Sequence, residues 1–244
     1  MGAGDGDGSV SKGEGWELRL GKWQDVMADV ECDALIVDAP YSDRTHSGHD
    51  VAVNDDMKNA INYSAMSAEN VREFVAHFSF RCRGWFVSIT DHVLAPVWAA
   101  SLEAAGRYTF APLPFVETGS RVRMMGDGPS CWTCWVVVAR PRNATFHKWG
   151  TLPGAYVDTS ERKPIVGGKP LGLMRSIIRD YTRPGDLVCD PCAGGGTTLL
   201  AARMEGRRSI GAEMMPEHYD IARRRLAHLP QGTDRQPSLF GDDR

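Results

Sequence analysis

No apolar run in the 244 residues approaches the roughly 20 that a membrane-spanning helix needs, so insertion into a membrane as a helix is not expected. The chain also lacks a basic excess: 28 Lys and Arg stand against 31 Asp and Glu, a formal net charge of -3. The fold as a whole is not a polycation, and any nucleic-acid site has to be a local patch. Cysteines are few, six in all without dense or regular spacing, which excludes a disulfide scaffold and favours a reducing compartment. There is no internal repeat, and the first residues are Gly and Asp rather than the basic and apolar segments of a secretory signal. A cytoplasmic protein is expected, with no membrane association.

What is present suffices for one large α/β domain, since 42% of the residues are hydrophobic. Residues 1–15 (MGAGDGDGSVSKGEG) hold too little apolar surface to offset the entropy of ordering. They are expected to form a disordered arm, and 231–244 a flexible tail. Between these, in a domain spanning 16–230, the apolar runs at 34–37, 85–89, 135–138, 187–189 and 209–212 read as buried strands of a mostly parallel sheet. Met215, Tyr219, Ala222, Leu226 and Leu229 recur at helical spacing behind Pro216, and Leu171, Met174, Ile178 and Tyr181 do the same. The stretch 117–169 is richer in Gly, Pro, Arg and Lys and reads as an excursion from the sheet.

Two loops carry chemistry. Asp190, Pro191, Cys192, Ala193, Gly194, Gly195, Gly196, Thr197 and Thr198 follow one strand and open a helix. Three glycines let a ligand lie against bare backbone, and the helix start offers unpaired N–H donors. The next strand ends at Glu213, about twenty residues further on, where a doubly wound fold places the acid that holds ribose hydroxyls. A nucleoside-bearing cofactor is implied. Asp38, Ala39, Pro40 and Tyr41 end another buried strand, so both loops are placed at the sheet edge where ligands bind in open α/β folds.

The segment from Gly168, Lys169, Pro170 and Leu171 through Asp190 to Thr198 resembles the cofactor half of the amino-group DNA methyltransferases, the N-4/N-6 family. Asp38-Ala39-Pro40-Tyr41 is similar to their catalytic (D/N/S)PP(Y/F) motif, and the order, catalytic motif first, resembles the permuted beta class. The resemblance implies a Rossmann-like fold: a mostly parallel seven-stranded sheet with helices on both faces and a small target-recognition insertion at 118–168. It implies S-adenosylmethionine as cofactor, double-stranded DNA as substrate, a bacterial or phage source, and a monomer or homodimer. Asp38 and the carbonyl of Ala39 then accept the two hydrogens of the target amine, and Tyr41 stacks on a base taken out of the duplex. Asp190 and the glycine loop hold the methionine part of the cofactor, Glu213 and Met214 its ribose end, and Lys169-Pro170 lie beside the methionine. Aspartate at position 38 favours adenine N6 over cytosine N4, which stays as the alternative.

Two residues depart from the family pattern: Ala39 replaces its first proline, and Gly21-Lys22 stands where Gly-Asp is usual. Arg121, Arg123, Arg140, Arg142, His147, Lys148, Arg162 and Lys163, with Trp149 and Tyr156 interleaved, form the candidate DNA-contacting patch. Arg223, Arg224 and Arg225 read as a solvated helix face. Cys131-x-x-Cys134 and Cys189-x-x-Cys192 lie in or beside strands, where residues three apart point to opposite faces, so packing is expected and no metal. Gln236-Pro237-Ser238-Leu239-Phe240 resembles the short peptides that dock on the bacterial sliding clamp; folding back onto the domain is the alternative. Two other function classes stay open: a nicotinamide-dependent oxidoreductase, for which Gly-x-Gly-x-x-Gly is missing, and a catalytically idle DNA-binding module, to which Lys22 is the one pointer.

Overall fold

The computed structural model describes residues 9–45, 64–119, 133–143, 149–161 and 163–228. Strands β1 (Val10–Gly13), β2 (Trp16–Leu20), β3 (Ala34–Asp38), β4 (Phe86–Thr90), β5 (Tyr108–Thr109), β6 (Leu113–Thr118), β7 (Thr133–Arg140), β8 (Tyr156–Thr159), β9 (Leu187–Asp190) and β10 (Arg208–Glu213) form one sheet. Its order is β1-β2-β10-β9-β3-β4-β7-β6-β8, with β5 pairing β7 off this path. Pairing is parallel from β2 to β4, β7 runs antiparallel between β4 and β6, and β8 lies parallel to β6. The helices are α1 (Trp23–Val26), α2 (Ala68–Phe78), α3 (Ala95–Ala104), α4 (Leu171–Tyr181), α5 (Thr197–Met204) and α6 (Pro216–Ala227).

Alternation along the strands divides the core. Leu35 and Val37 point to a layer built by Trp23 with Phe74 and Phe78 of α2 and Trp98 of α3. Ile36, Val87 and Ile89 point the other way, onto Met174, Ile177 and Ile178 of α4. A third cluster packs Trp16 and Leu18 of β2 against Leu199 and Leu200 of α5 and Tyr219, Ala222 and Leu226 of α6. Central strands covered on both faces must be apolar throughout, which is why they read as uninterrupted runs. No helix among the described residues is long and apolar enough to cross a membrane.

The sheet has ten strands, against the seven expected. The path from β2 to β6 supplies seven; β1, β5 and β8 are additions. Residues 10–13, expected in a disordered arm, pair antiparallel with β2 across a tight turn at Gly15, whose φ is +74°. Backbone hydrogen bonding to an edge strand needs few apolar side chains, so composition alone missed it. The expected excursion at 117–169 contains β7, with Val136 to Ala139 fully inside the core, and β8.

Gly196 opens α5 at φ +75°, and a Cβ there would stand 2.9 Å from the Ala222 Cβ and 3.2 Å from its Cα. Gly196→Ala is expected to cost about 2 kcal/mol or more, from left-handed strain together with overpacking against α6. A thermal melt unchanged from that of the parent protein would refute this.

Candidate active site

Asp38, Asp190 and Glu213 end β3, β9 and β10, three neighbouring parallel strands. Their common end opens on a cleft of about 350 Å³ that all three line, with Pro40, Lys169 and the glycine loop. The volume lies in the range of small-molecule sites.

Asp38 is oriented by a lysine 131 residues away in sequence: Lys169 Nζ donates to Asp38 Oδ2 at 2.9 Å and to the carbonyl of Gly167 at 3.1 Å. Oδ1 of Asp38 is buried and has no hydrogen-bond partner among the described residues. Burial pushes the Asp38 carboxyl above its ordinary value, and the Lys169 ammonium opposes that rise. Lys169 also stands 4.8 Å from the centroid of the Tyr41 ring, while the Tyr41 hydroxyl donates to Cys134 Sγ at 3.1 Å. Ala39 is buried.

Asp190 Oδ1 accepts the Cys192 N–H at 3.0 Å. Burial pushes its carboxyl up to about 7, against hydrogen bonds from Thr198 and the Cys192 backbone. Glu213 Oε2 accepts the Gly194 N–H at 2.8 Å and Oε1 the Met215 N–H at 2.7 Å, so the same carboxylate borders the cleft and pins the glycine loop. Its carboxyl too is raised, chiefly by burial. Gly195 needs its missing side chain for a different reason: a Cβ would meet Pro164 Cγ at 2.9 Å. Residues 164–168 pass over the loop here and line the cleft through Ile165 to Gly168.

Of the expected cofactor residues, Lys169, Asp190 to Gly195, Thr197, Thr198, Glu213 and Met214 line the cleft; Pro170 and Gly196 do not. Gly21 and Lys22 line it despite the departure from the family pattern, beside Trp23, Met66 and His218, which the sequence reading did not single out. Arg225 departs from its expected solvated role: Nη1 donates to the Gly195 carbonyl and, at 3.1 Å, to Thr197 Oγ1. Three consecutive arginines on one helix conceal which one turns inward.

The DNA patch separates into parts. Arg121, Arg123, His147, Lys148 and Arg162 lie outside the described residues, as do Cys131 and the segment 236–240. The structure does not bring Arg140 and Arg142 to the cleft. Ala139 pairs with Phe86 at the start of β4, so β7 ends at the opposite edge of the sheet from Asp38. There Arg140 stacks over Tyr108 at 4.9 Å, and Arg142 Nε donates to the Arg107 carbonyl at 3.1 Å. The interleaved aromatics are packing residues: Tyr156 is buried and donates to Asp180 at 2.8 Å, and Trp149 packs edge-on against Trp85. Lys163 pairs with Glu117 at 2.6 Å.

A family model described as DNA methylase matches residues 84–224, more than half of the chain. Type II methyltransferase M.HindIII of Haemophilus influenzae is 48% identical over 69 residues, 28% of this chain and 22% of that protein. DNA adenine methyltransferase YhdJ of Escherichia coli is 43% identical over 70 residues, 29% of this chain and 23% of that protein. The chain spans between about a fifth and a third of the length of the curated relatives it matches. Among solved structures, the crystal structure of an M1.HpyAVI–SAM complex aligns with a TM-score of 0.65 at 20% identity, covering 87% of this chain and 100% of that one.

Proposed function

We propose that this chain, which belongs to the DNA methylase family, transfers a methyl group from S-adenosylmethionine to the N6 amino group of adenine in double-stranded DNA. One observation carries the proposal: Asp38 keeps a buried carboxylate oxygen without a partner among the described residues, in a cleft that Asp190 and Glu213 also line. The donor and acceptor set fits the cofactor. Two buried carboxylates with raised pKa values favour a cationic ligand, and Glu213 presents acceptors to vicinal hydroxyls. Trp23 and Met66 offer apolar surface to a base.

S-adenosylmethionine, when bound, supplies an electrophilic methyl group on a cationic sulfur. The protein supplies position and electrostatics. An exocyclic amine shares its lone pair with the ring, so its nucleophilicity is recovered by holding its hydrogens out of the ring plane. Asp38 Oδ1 and the Ala39 carbonyl accept those two hydrogens, Lys169 fixes the carboxylate through Oδ2, and Tyr41 receives the extruded base on its ring. As the nitrogen takes the methyl group it loses a proton, which Asp38 accepts. Adenine rather than cytosine follows from Asp38 and from the adenine specificity named for YhdJ.

Incubation with labelled S-adenosylmethionine and unmethylated DNA tests this: label on N6 of adenine is expected. Label on cytosine N4, or DNA binding with no transfer, would refute it. In the same reading, phosphate contacts come from Arg121, Arg123, Lys148 and Arg162, and the segment 236–240 docks on a bacterial sliding clamp. A peptide spanning 234–244 is expected to bind the clamp at roughly micromolar affinity, and loss of binding on replacing Leu239 and Phe240 with alanine checks the contact by fluorescence anisotropy.

Cofactor affinity is expected to depend on pH through Asp190. Its folded pKa of about 7 lies above the ordinary value of 3.8, so ionisation is completed only as pH rises through neutrality. A cationic ligand prefers the ionised form, so affinity should increase with pH across that range, with proton release below it. Calorimetry in buffers of different ionisation heat measures both; a flat profile with no proton release would refute the charge contact.

A further inference from the structure

We propose that Asp91 is a positioning residue for the catalytic loop, its carboxylate latching the segment after Tyr41 to the end of the neighbouring strand. The inference rests on the methyl-transfer reading of the site. Asp91 directly follows β4 and is 6% exposed. Asp38 and Ile89 are partners in the β3–β4 register, so the two aspartates lie near the same level of the sheet. The two oxygens of Asp91 divide their work. Oδ2 accepts from the loop: the Ser42 N–H at 2.9 Å, the Ser42 hydroxyl, and the Thr45 hydroxyl at 2.6 Å. Oδ1 accepts from the start of α3: the Val93 N–H at 3.1 Å and the Leu94 N–H at 2.9 Å.

A helix start needs only the second set. Three donors from a distant loop converging on one buried oxygen make a tether, and charge-assisted bonds of this kind are roughly twice as strong as neutral ones. Burial alone would raise the Asp91 carboxyl, yet the bonds from Ser42 and Thr45 and from the Leu94 and Ser42 backbone hold it below its ordinary value. The carboxylate therefore stays charged and the tether stays closed.

The tether meets a specific need. The catalytic tetrapeptide carries alanine at position 39, where a proline ring would fix one backbone torsion. Tyr41 is held from one side by its own carbonyl, which accepts the Met66 N–H at 3.0 Å; Asp91 grips the residue that follows. Together they restrain the loop that presents Asp38, Ala39 and Tyr41, and a small displacement of such groups is enough to lower turnover by about tenfold or more.

The test separates the loop arm from the helix arm. In Ser42→Ala/Thr45→Val the two hydroxyl bonds are lost while the Val93 and Leu94 bonds remain. This variant is expected to stay folded at the assay temperature and to keep its S-adenosylmethionine affinity, measured by calorimetry, while kcat for labelled methyl transfer falls about tenfold or more with little change in KM for DNA. Ser42→Ala/Thr45→Ser, which keeps one hydroxyl, should recover part of the loss, and Asp91→Asn should lower kcat further. A wild-type kcat in Ser42→Ala/Thr45→Val would overturn the proposal, as would a loss of kcat that tracks lost stability and cofactor affinity. Failure of the parent protein to transfer any label overturns the methyl-transfer reading itself, and the wild-type control identifies that case.

Discussion

Asp38→Ala is expected to lower the rate of methyl transfer by on the order of 10²-fold or more, the scale for removing one preorganised electrostatic contact, while S-adenosylmethionine affinity stays within a few-fold. One carboxylate oxygen has no partner among the described residues and the other is engaged by Lys169; in the proposed mechanism the first takes the target amine, so the loss should fall on the reacting group rather than on the cofactor. Near-wild-type turnover would defeat the mechanism. Lys169 supplies the second half of the experiment. Burial raises the Asp38 carboxyl and the Lys169 ammonium is the main group opposing the rise, so Lys169→Met removes most of that opposition and Asp38 takes up its proton at higher pH. A protonated carboxyl is a poorer acceptor for the amine, and the acid limb of the kcat profile should therefore move to higher pH. Lys169→Arg keeps the charge and should leave the limb nearer its original place. An acid limb that does not move in Lys169→Met would mean that the ion pair does not set the ionisation of Asp38.

The residues that were legible in the sequence share a physical reason. Strands β3, β4, β7, β9 and β10 are buried on both faces and spell themselves as apolar runs, and the acids that end β3, β9 and β10 stand out because a charge closing such a run needs a use. Helix α2 is hard to read because its start uses Asn70 to complete the box with Ser67, where the more familiar pattern has Glu or Gln. Helix α3 is hard to see although Ala95, Trp98 and Leu102 recur at helical spacing around a proline at position 96; the apolar β4 run just before it masks the change of period. The partnerships of Asp38 with Lys169, Ser42 with Asp91 and Arg225 with the Gly195 carbonyl join residues 131, 49 and 30 positions apart. No local pattern encodes such pairs; the sheet order creates them. Arg140 and Arg142 show the opposite difficulty, since arginine density along the chain says nothing of which end of a strand each residue reaches, and β7 carries Arg140 away from the cleft.

Glu213→Ala is expected to weaken S-adenosylmethionine binding by roughly 10- to 100-fold, the range for losing hydrogen bonds to a charged acceptor. Two contributions combine here. In the proposed reading the carboxylate accepts ribose hydroxyls, and it accepts the Gly194 and Met215 N–H groups, so its removal frees the glycine loop as well. Fragments separate the two. If the ribose contact dominates, adenosine loses affinity in the variant as the whole cofactor does, while methionine binds as before; if loop order dominates, methionine loses affinity too. Glu213→Gln sharpens the comparison: its amide oxygen can serve one backbone donor, but its NH2 group then faces the other N–H, and one of the two loop bonds is lost. Its affinity should fall between those of the parent protein and Glu213→Ala. Calorimetry that finds the alanine variant binding S-adenosylmethionine as tightly as the parent protein would remove Glu213 from both roles, because deleting a carboxylate that held either the ribose or a ligand-binding loop would cost affinity.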